Sequence, residues 1–303
     1  SFHHTSVMTT QTNIKPGPIA FQGEPGSFSE AAAVKFFGDG ISTLPRRTFD
    51  SVFEAVESGD AGCGIIPIEN SLAGSIHRNY DLLLRHDLTI TGEVYLRIRH
   101  CLIGLPGAVL ESIERVYSHP QALDQCETFL KSLNDVETVP FYDTAGSVKH
   151  IKESGDSGDA AIGSRRAAVD FKMDVLAENI ENFAGNYTRF LVVALAGAES
   201  VVTNKSSIVF AAKNIPGALF KCLEVFAQQG INLLKIESRP SPGRPGEYYF
   251  YLDFLGSPAE TECQKALGHL TELTNFIRVL GSYEMAPVPA PETDGAQTVE
   301  NEQ

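Results

Sequence analysis

Basic residues are scarce in this chain. Lys and Arg number 24 against 38 Asp and Glu, which leaves a formal charge of −14. That balance argues against a nucleic-acid partner, whose phosphates need a basic face. It leaves room for a small anionic ligand, which a few Arg side chains and helix N-termini can hold. Cysteine is sparse too. Cys63, Cys101, Cys126, Cys222 and Cys263 are odd in number and form no C-x-x-C pair. Neither a disulfide framework nor a zinc site is expected, and no metal is assigned. Small buried thiols in a reducing compartment fit the spacing better. No apolar run approaches the roughly 18–20 residues that a bilayer span requires, so no membrane partner is expected. No signal-peptide pattern opens the chain. Ser1–Val7, with His3-His4 ahead of Met8, reads as a foreign leader. A cytoplasmic location is expected, or the plastid stroma if a targeting peptide has been trimmed. No G-x-S-x-G, H-E-x-x-H or Walker loop occurs.

The chain does have alternation. Its 303 residues are 43% hydrophobic and 20% charged, which suits two globular domains. Over about 18–198, short apolar runs end in small polar residues and pass into helical patterns. Ile19–Phe21 leads to Ser27 and Glu30, an S-x-x-E capping box for a helix ending at Gly38. Cys63–Ile68 runs into Glu69-Asn70-Ser71. Arg115–Tyr117 runs into Ser118-His119-Pro120, and Val136–Phe141 into Asp143-Thr144. This pattern predicts two α/β lobes of mostly parallel sheet around a cleft. Ligands sit at the carboxyl ends of such strands, where Ser, Thr, Asn and helix N-termini converge. Each junction taken singly reads better as an N-cap, and several together point to a site. After a break at about 196–206, residues 204–285 read as β-α-β-β-α-β, a ferredoxin-like unit. The Pro-rich, acidic stretch 286–303 is expected to be disordered.

Five stretches resemble the prephenate/arogenate dehydratases. They are Gly23–Glu30, Pro67–Ser75, Ser118–Leu123, Asp143–Gly146 and Asn186–Phe190. Residues 204–285 resemble the ACT regulatory module, with Gly217-Ala218-Leu219 and Glu237-Ser238-Arg239-Pro240 matching its phenylalanine-sensing motifs. The resemblance implies a lyase that removes water and CO2 together from a cyclohexadienol. Prephenate would give phenylpyruvate and arogenate would give phenylalanine; the sequence does not decide between them. Aromatisation drives the reaction, so no cofactor is implied. The resemblance makes Thr188 the catalytic hydroxyl and Arg189 a grip for a substrate carboxylate. Glu69, Asn70, Ser71, Ser118, His119, Gln121, Thr144 and Asn186 become substrate contacts, with Phe190 on the cleft wall. Glu69 would repel an anion, so it is read as protonated or as orienting a neighbour. His119 is a candidate acid, or a structural hydrogen-bonding group ahead of Pro120. Phenylalanine is the expected effector, held between ACT modules of a dimer of dimers. Two other classes compete with this reading. A solute-binding protein shares the two-lobed architecture, and a ligand-sensing regulator would need an output module that the acidic chain lacks.

Overall fold

The computed structural model describes residues 14, 17–198 and 200–289. The expected leader at Ser1–Val7 and the tail from residue 290 lie outside the described residues. Along the chain, β1 (Ile19–Gln22) leads into α1 (Phe28–Phe37), β2 (Thr43–Arg46), α2 (Phe49–Ser58), β3 (Cys63–Asn70), β4 (Gly74–Ser75), α3 (His77–Arg85) and β5 (Thr89–Arg97). Next come β6 (Cys101–Gly104), β7 (Arg115–Ser118), α4 (Pro120–Gln125), α5 (Glu127–Ser132), β8 (Glu137–Pro140), α6 (Thr144–Ser154), β9 (Asp159–Gly163), α7 (Arg165–Phe171) and β10 (Asp174–Glu178). The chain closes with β11 (Tyr187–Ala194), β12 (Lys205–Ala212), α8 (Ala218–Gln228), β13 (Leu233–Pro240), β14 (Tyr248–Leu255), α9 (Thr261–Leu273) and β15 (Thr274–Tyr283).

Local signals explain the helix starts. Ser27 Oγ accepts from the Glu30 N–H, and the Glu30 carboxylate reaches back to the Gly26 N–H at 2.6 Å. The box therefore closes one residue earlier than its usual form. Pro120 stands at the first position of α4, as its fixed φ and missing N–H favour. The helical stretch after Pro120 is interrupted at Cys126, which divides it into α4 and α5.

Two compact units emerge, and they do not follow the segments 18–198 and 204–285. The first combines the chain up to Leu96 with Thr188–Ala286; the second holds Arg97–Tyr187. In the first, ten described strands form one sheet ordered β13-β14-β12-β15-β5-β11-β3-β1-β2, with β4 beside β3. The four strands β12–β15, with α8 and α9, are the expected βαββαβ module. The module continues the lobe's sheet through one recorded pair, Gly281 with Ile90. One core cluster joins Tyr80 and Leu83 of α3 to Val209, Tyr251 and Leu280 of the module. Another seats Phe226 and Leu270 of α8 and α9 against Ile208 and Phe254.

The second unit carries a five-stranded sheet, β10-β6-β9-β7-β8. The sheets are mixed, not mostly parallel: β1, β2 and β3 pair in parallel, as do β7, β8 and β9, while β11–β3 and β6–β9 are antiparallel. All five cysteines are buried and free, and burial pushes the Cys63 thiol up to about 12.

Candidate active site

In the first unit the site begins with strand register. β11 runs antiparallel to β3, with Thr188 opposite Asn70 and Arg189 opposite Glu69. A bulge follows between Arg189 and Phe190. The Asn70 side chain cannot rotate freely, because its Oδ1 accepts from the Leu72 and Ala73 N–H groups at 3.0 and 2.9 Å. That Asx turn also bends Ser71–Ala73 toward β4. The fixed amide points its Nδ2 at Thr188 Oγ1, 3.0 Å away. A hydroxyl that accepts from an amide keeps its own proton for a different acceptor. Thr188 is thus oriented as a donor, and it is nearly buried.

Glu69 meets Lys235 of β13 in an ion pair, so a cation balances its charge where a proton had been one option. Lys235 Nζ also donates to Ser75 Oγ at 3.2 Å. Ser71 lies exposed in the turn between β3 and β4.

Two expected roles move. Arg189 is 3% exposed, and its guanidinium is engaged inside the first unit. Nε donates to Glu93 at 2.7 Å, Nη1 to Asp253 at 2.6 Å and Nη2 to the Tyr283 hydroxyl at 3.1 Å. Lys205 Nζ bonds both oxygens of Glu93, and Ser207 Oγ donates to Asp253 at 2.6 Å. Burial alone would lift the Asp253 carboxyl, but Arg189, Lys205 and Ser207 outweigh it and hold it below the ordinary carboxylate value. Arg189 is therefore a buried structural cation where a substrate grip was expected. Removing one partner of such a pair would cost about 3–5 kcal/mol, because the other charge stays behind in the core. Phe190 is not a cleft-wall residue. It packs with Phe21, Ile65 and Val192 in the core under α1.

The second unit places its candidates at one sheet edge. β8, β7 and β9 are adjacent and parallel, and each passes at its carboxyl end into a helix: α6, α4 and α7. Asp143 caps α6 just before Thr144, and Ser164 caps α7. His119 caps α4, its Nδ1 accepting from the Gln121 N–H at 3.2 Å. Desolvation lowers the affinity of that imidazole for protons, with Asp143 pulling the other way. A neutral ring serving as a cap acceptor is the structural role anticipated as the alternative to an acid. Ser118 is fully buried and donates to the Ile162 carbonyl at 2.8 Å, which commits its proton to the sheet. Asn186 is likewise buried, donating to Gln125 Oε1 at 3.0 Å. Gln121 and Thr144 remain at helix starts on the carboxyl edge.

On the module, Gly217 caps α8 at φ 79°, where a side chain would be strained although space is open around it. Ala218 and Leu219 begin that helix. Along β13, Glu237 bonds Ser75 Oγ and lies 3.1 Å from His77, and Arg239 forks onto Asp81 at 3.0 and 2.9 Å. All three partners, Ser75, His77 and Asp81, belong to the same chain. Ser238 and Pro240, on the opposite face of the strand, are exposed. Lys235, Glu93, Lys205, Asp253 and Tyr283 had no part in the sequence reading. The period-2 charges Lys235, Glu237 and Arg239 were the available signal for a docked strand face.

The prephenate dehydratase family model matches residues 19–197, and the ACT domain model matches residues 206–258. An Arabidopsis thaliana protein named arogenate dehydratase/prephenate dehydratase 1, chloroplastic, is 46% identical over 286 residues, covering 88% of this chain and 72% of the relative. The solved prephenate dehydratase of Arthrobacter aurescens in complex with L-Phe superposes with a TM-score of 0.81 at 31% identity, over 90% of this chain and 93% of that one. A second solved chain, described as GqqA, a novel type of quorum quenching acylase, gives 0.82 at 33% identity, over 89% and 98%.

Proposed function

Since the chain belongs to the prephenate dehydratase family and carries an ACT domain, we propose that it aromatises a carboxylated cyclohexadienol by concerted loss of CO2 and water. The C–CO2 bonding pair moves into the ring and expels the hydroxyl on the opposite carbon; a proton from the enzyme turns that leaving group into water. Thr188 delivers or relays this proton. The observation that carries the assignment is the Asn70 amide donating to Thr188 Oγ1, which leaves the threonine as a hydrogen-bond donor. An acylase reading finds less support, because an amide donor cannot deprotonate the hydroxyl into a nucleophile.

Prephenate is the proposed substrate, with arogenate or both as the alternative, which the plant relative named for both activities supports. One polar contact at the keto or amino end separates them. Within the second unit, Gln121 and Thr144 at helix N-termini are proposed as neutral hydrogen-bond donors to a ligand. The name of that relative also favours a plastid location. Phenylalanine is the proposed effector, supported by the ACT match and by the complexed bacterial relative. A dimer of dimers draws support from β13, which ends the described sheet and exposes Leu234 and Ile236.

The test is steady-state turnover of both substrates by the full chain and by Thr188→Ala. The variant is expected to lose at least about a hundredfold in kcat, the scale of a positioned proton donor. A folded variant that keeps more than about a tenth of the activity would remove Thr188 from the chemistry.

A further inference from the structure

The buried charges around Arg189 form a row across five adjacent strands. In sheet order they are Asp253 on β14, Lys205 and Ser207 on β12, Tyr283 on β15, Glu93 on β5 and Arg189 on β11. The row straddles the seam where the regulatory module meets the lobe. Glu93 and Arg189 belong to the lobe; the other four belong to the module. Two cations face two carboxylates, so the cluster is neutral only while both sides contribute. The Arg189 guanidinium is divided between Glu93 at 2.7 Å and Asp253 at 2.6 Å, one on each side of the seam. Backbone pairing across the seam is slight, a single recorded pair at Gly281 and Ile90.

Thr188 immediately precedes Arg189 on β11, and the ladder to β3 shifts register just after Arg189, where the extra residue, Ile68, lies on β3. A bulge interrupts the ladder, so the pairing beside it is less constrained than in a regular one. The position of the Arg189 head group therefore bears on how Thr188 meets Asn70. We propose that Asp253, supported by Tyr283, is a positioning residue for the reaction: it holds Arg189 across the seam and so fixes the Thr188 hydroxyl against Asn70. This inference rests on the reading of Thr188 as the proton donor. It also supplies a physical path from module to chemistry, because a displaced module carries Asp253, Lys205 and Tyr283 with it. Without the Asp253 carboxylate, Arg189 keeps Glu93 and the neutral Tyr283 hydroxyl, and its charge is drawn toward Glu93 on β5. A displacement of about 1 Å in a reacting group can cost a hundredfold in rate.

The experiment compares Asp253→Asn, Tyr283→Phe, Arg189→Lys and the Asp253→Asn/Arg189→Lys pair in the full chain, by steady-state kinetics and thermal melting. Asp253→Asn is expected to lower kcat about ten- to a hundredfold with KM held within about twofold, the pattern of a lost transition-state contact. Tyr283→Phe should show the same split to a smaller degree. The double variant should be no slower than the slower single variant, because both act through one contact. A melting shift with kcat unchanged, or losses that multiply in the double variant, would overturn the proposal. If Asp253→Asn fails to fold, Tyr283→Phe decides by the same criteria. Thr188→Ala separates the two readings. If Thr188→Ala retains activity, the reading of Thr188 fails. If Thr188→Ala is inactive while Asp253→Asn and Tyr283→Phe are unimpaired, only the positioning inference fails.

Discussion

Lys235 illustrates how a side chain remote in sequence can set the charge of a site. It reaches Glu69 from β13, 166 residues away, and Glu69 neighbours the Asn70–Thr188 pair. Truncating it as Lys235→Met would leave a carboxylate uncompensated beside an anionic substrate. KM for prephenate is expected to rise severalfold while kcat changes little, and the rise should shrink at high salt, which screens partly exposed charges. A salt-independent KM would contradict this account. At the same scale, what could be read from sequence was what is local. Ser27 with Glu30 and Pro120 at a helix start act within four residues of themselves. Arg189 could not be placed that way, because Glu93 and Asp253 stand 96 and 64 residues from it. From sequence it was simply an arginine next to a threonine.

Among elements, the junctions were legible and one central strand was not. β5 escapes a periodicity reading because Gly92 and Glu93 interrupt its apolar residues, and both are buried for reasons set elsewhere. Gly92 admits the Phe36 ring, and Glu93 meets Lys205. In the second unit a hydrogen-bonded tie joins the end of α4 to the loops before β6 and β11. Gln125 of α4 accepts from Asn186 and meets His100 Nε2 at 2.9 Å. Burial is the main influence lowering the His100 proton affinity, against the opposing pull of Gln125 and Glu181. An unfolded histidine takes up its proton near pH 6.5, whereas this one resists it while folded. Stability conferred by neutral His100 is therefore intact above about pH 6.5 and is lost as pH falls toward the lower folded value. Melting temperature should decline between about pH 7.5 and 5, and less steeply in His100→Gln. Parallel curves for the two proteins would assign the decline to other groups.

At the scale of the molecule, the seam between lobe and module invites a direct perturbation. A Cβ on Gly281 would collide with the Ile90 carbonyl oxygen, and neither backbone can withdraw without breaking the sheet. Gly281→Ala should separate the unfolding of the module from that of the lobe, so calorimetry should show two transitions in place of one. Its kcat should also drop, through the same displacement of Arg189. A single cooperative transition at the unchanged temperature would mean that the Gly281 contact is not what couples the two parts. The βαββαβ module was legible because it is contiguous and patterned. Its union with a lobe more than a hundred residues upstream in one sheet was not, because strand pairing between distant segments leaves no local mark.

The return of the chain at Thr188 also sets an order of events during synthesis. The main body of the second unit, Arg97–Tyr187, is one continuous stretch and can collapse while the ribosome is still adding residues. The first unit has to wait. Asn70 of β3 emerges 118 residues before the Thr188 that will lie beside it, and at about 5–20 residues per second that is a delay of several seconds or more. For that interval β3, an apolar strand, presents a bare edge of backbone donors and acceptors, and the nascent chain depends on whatever shields that edge until β11 arrives.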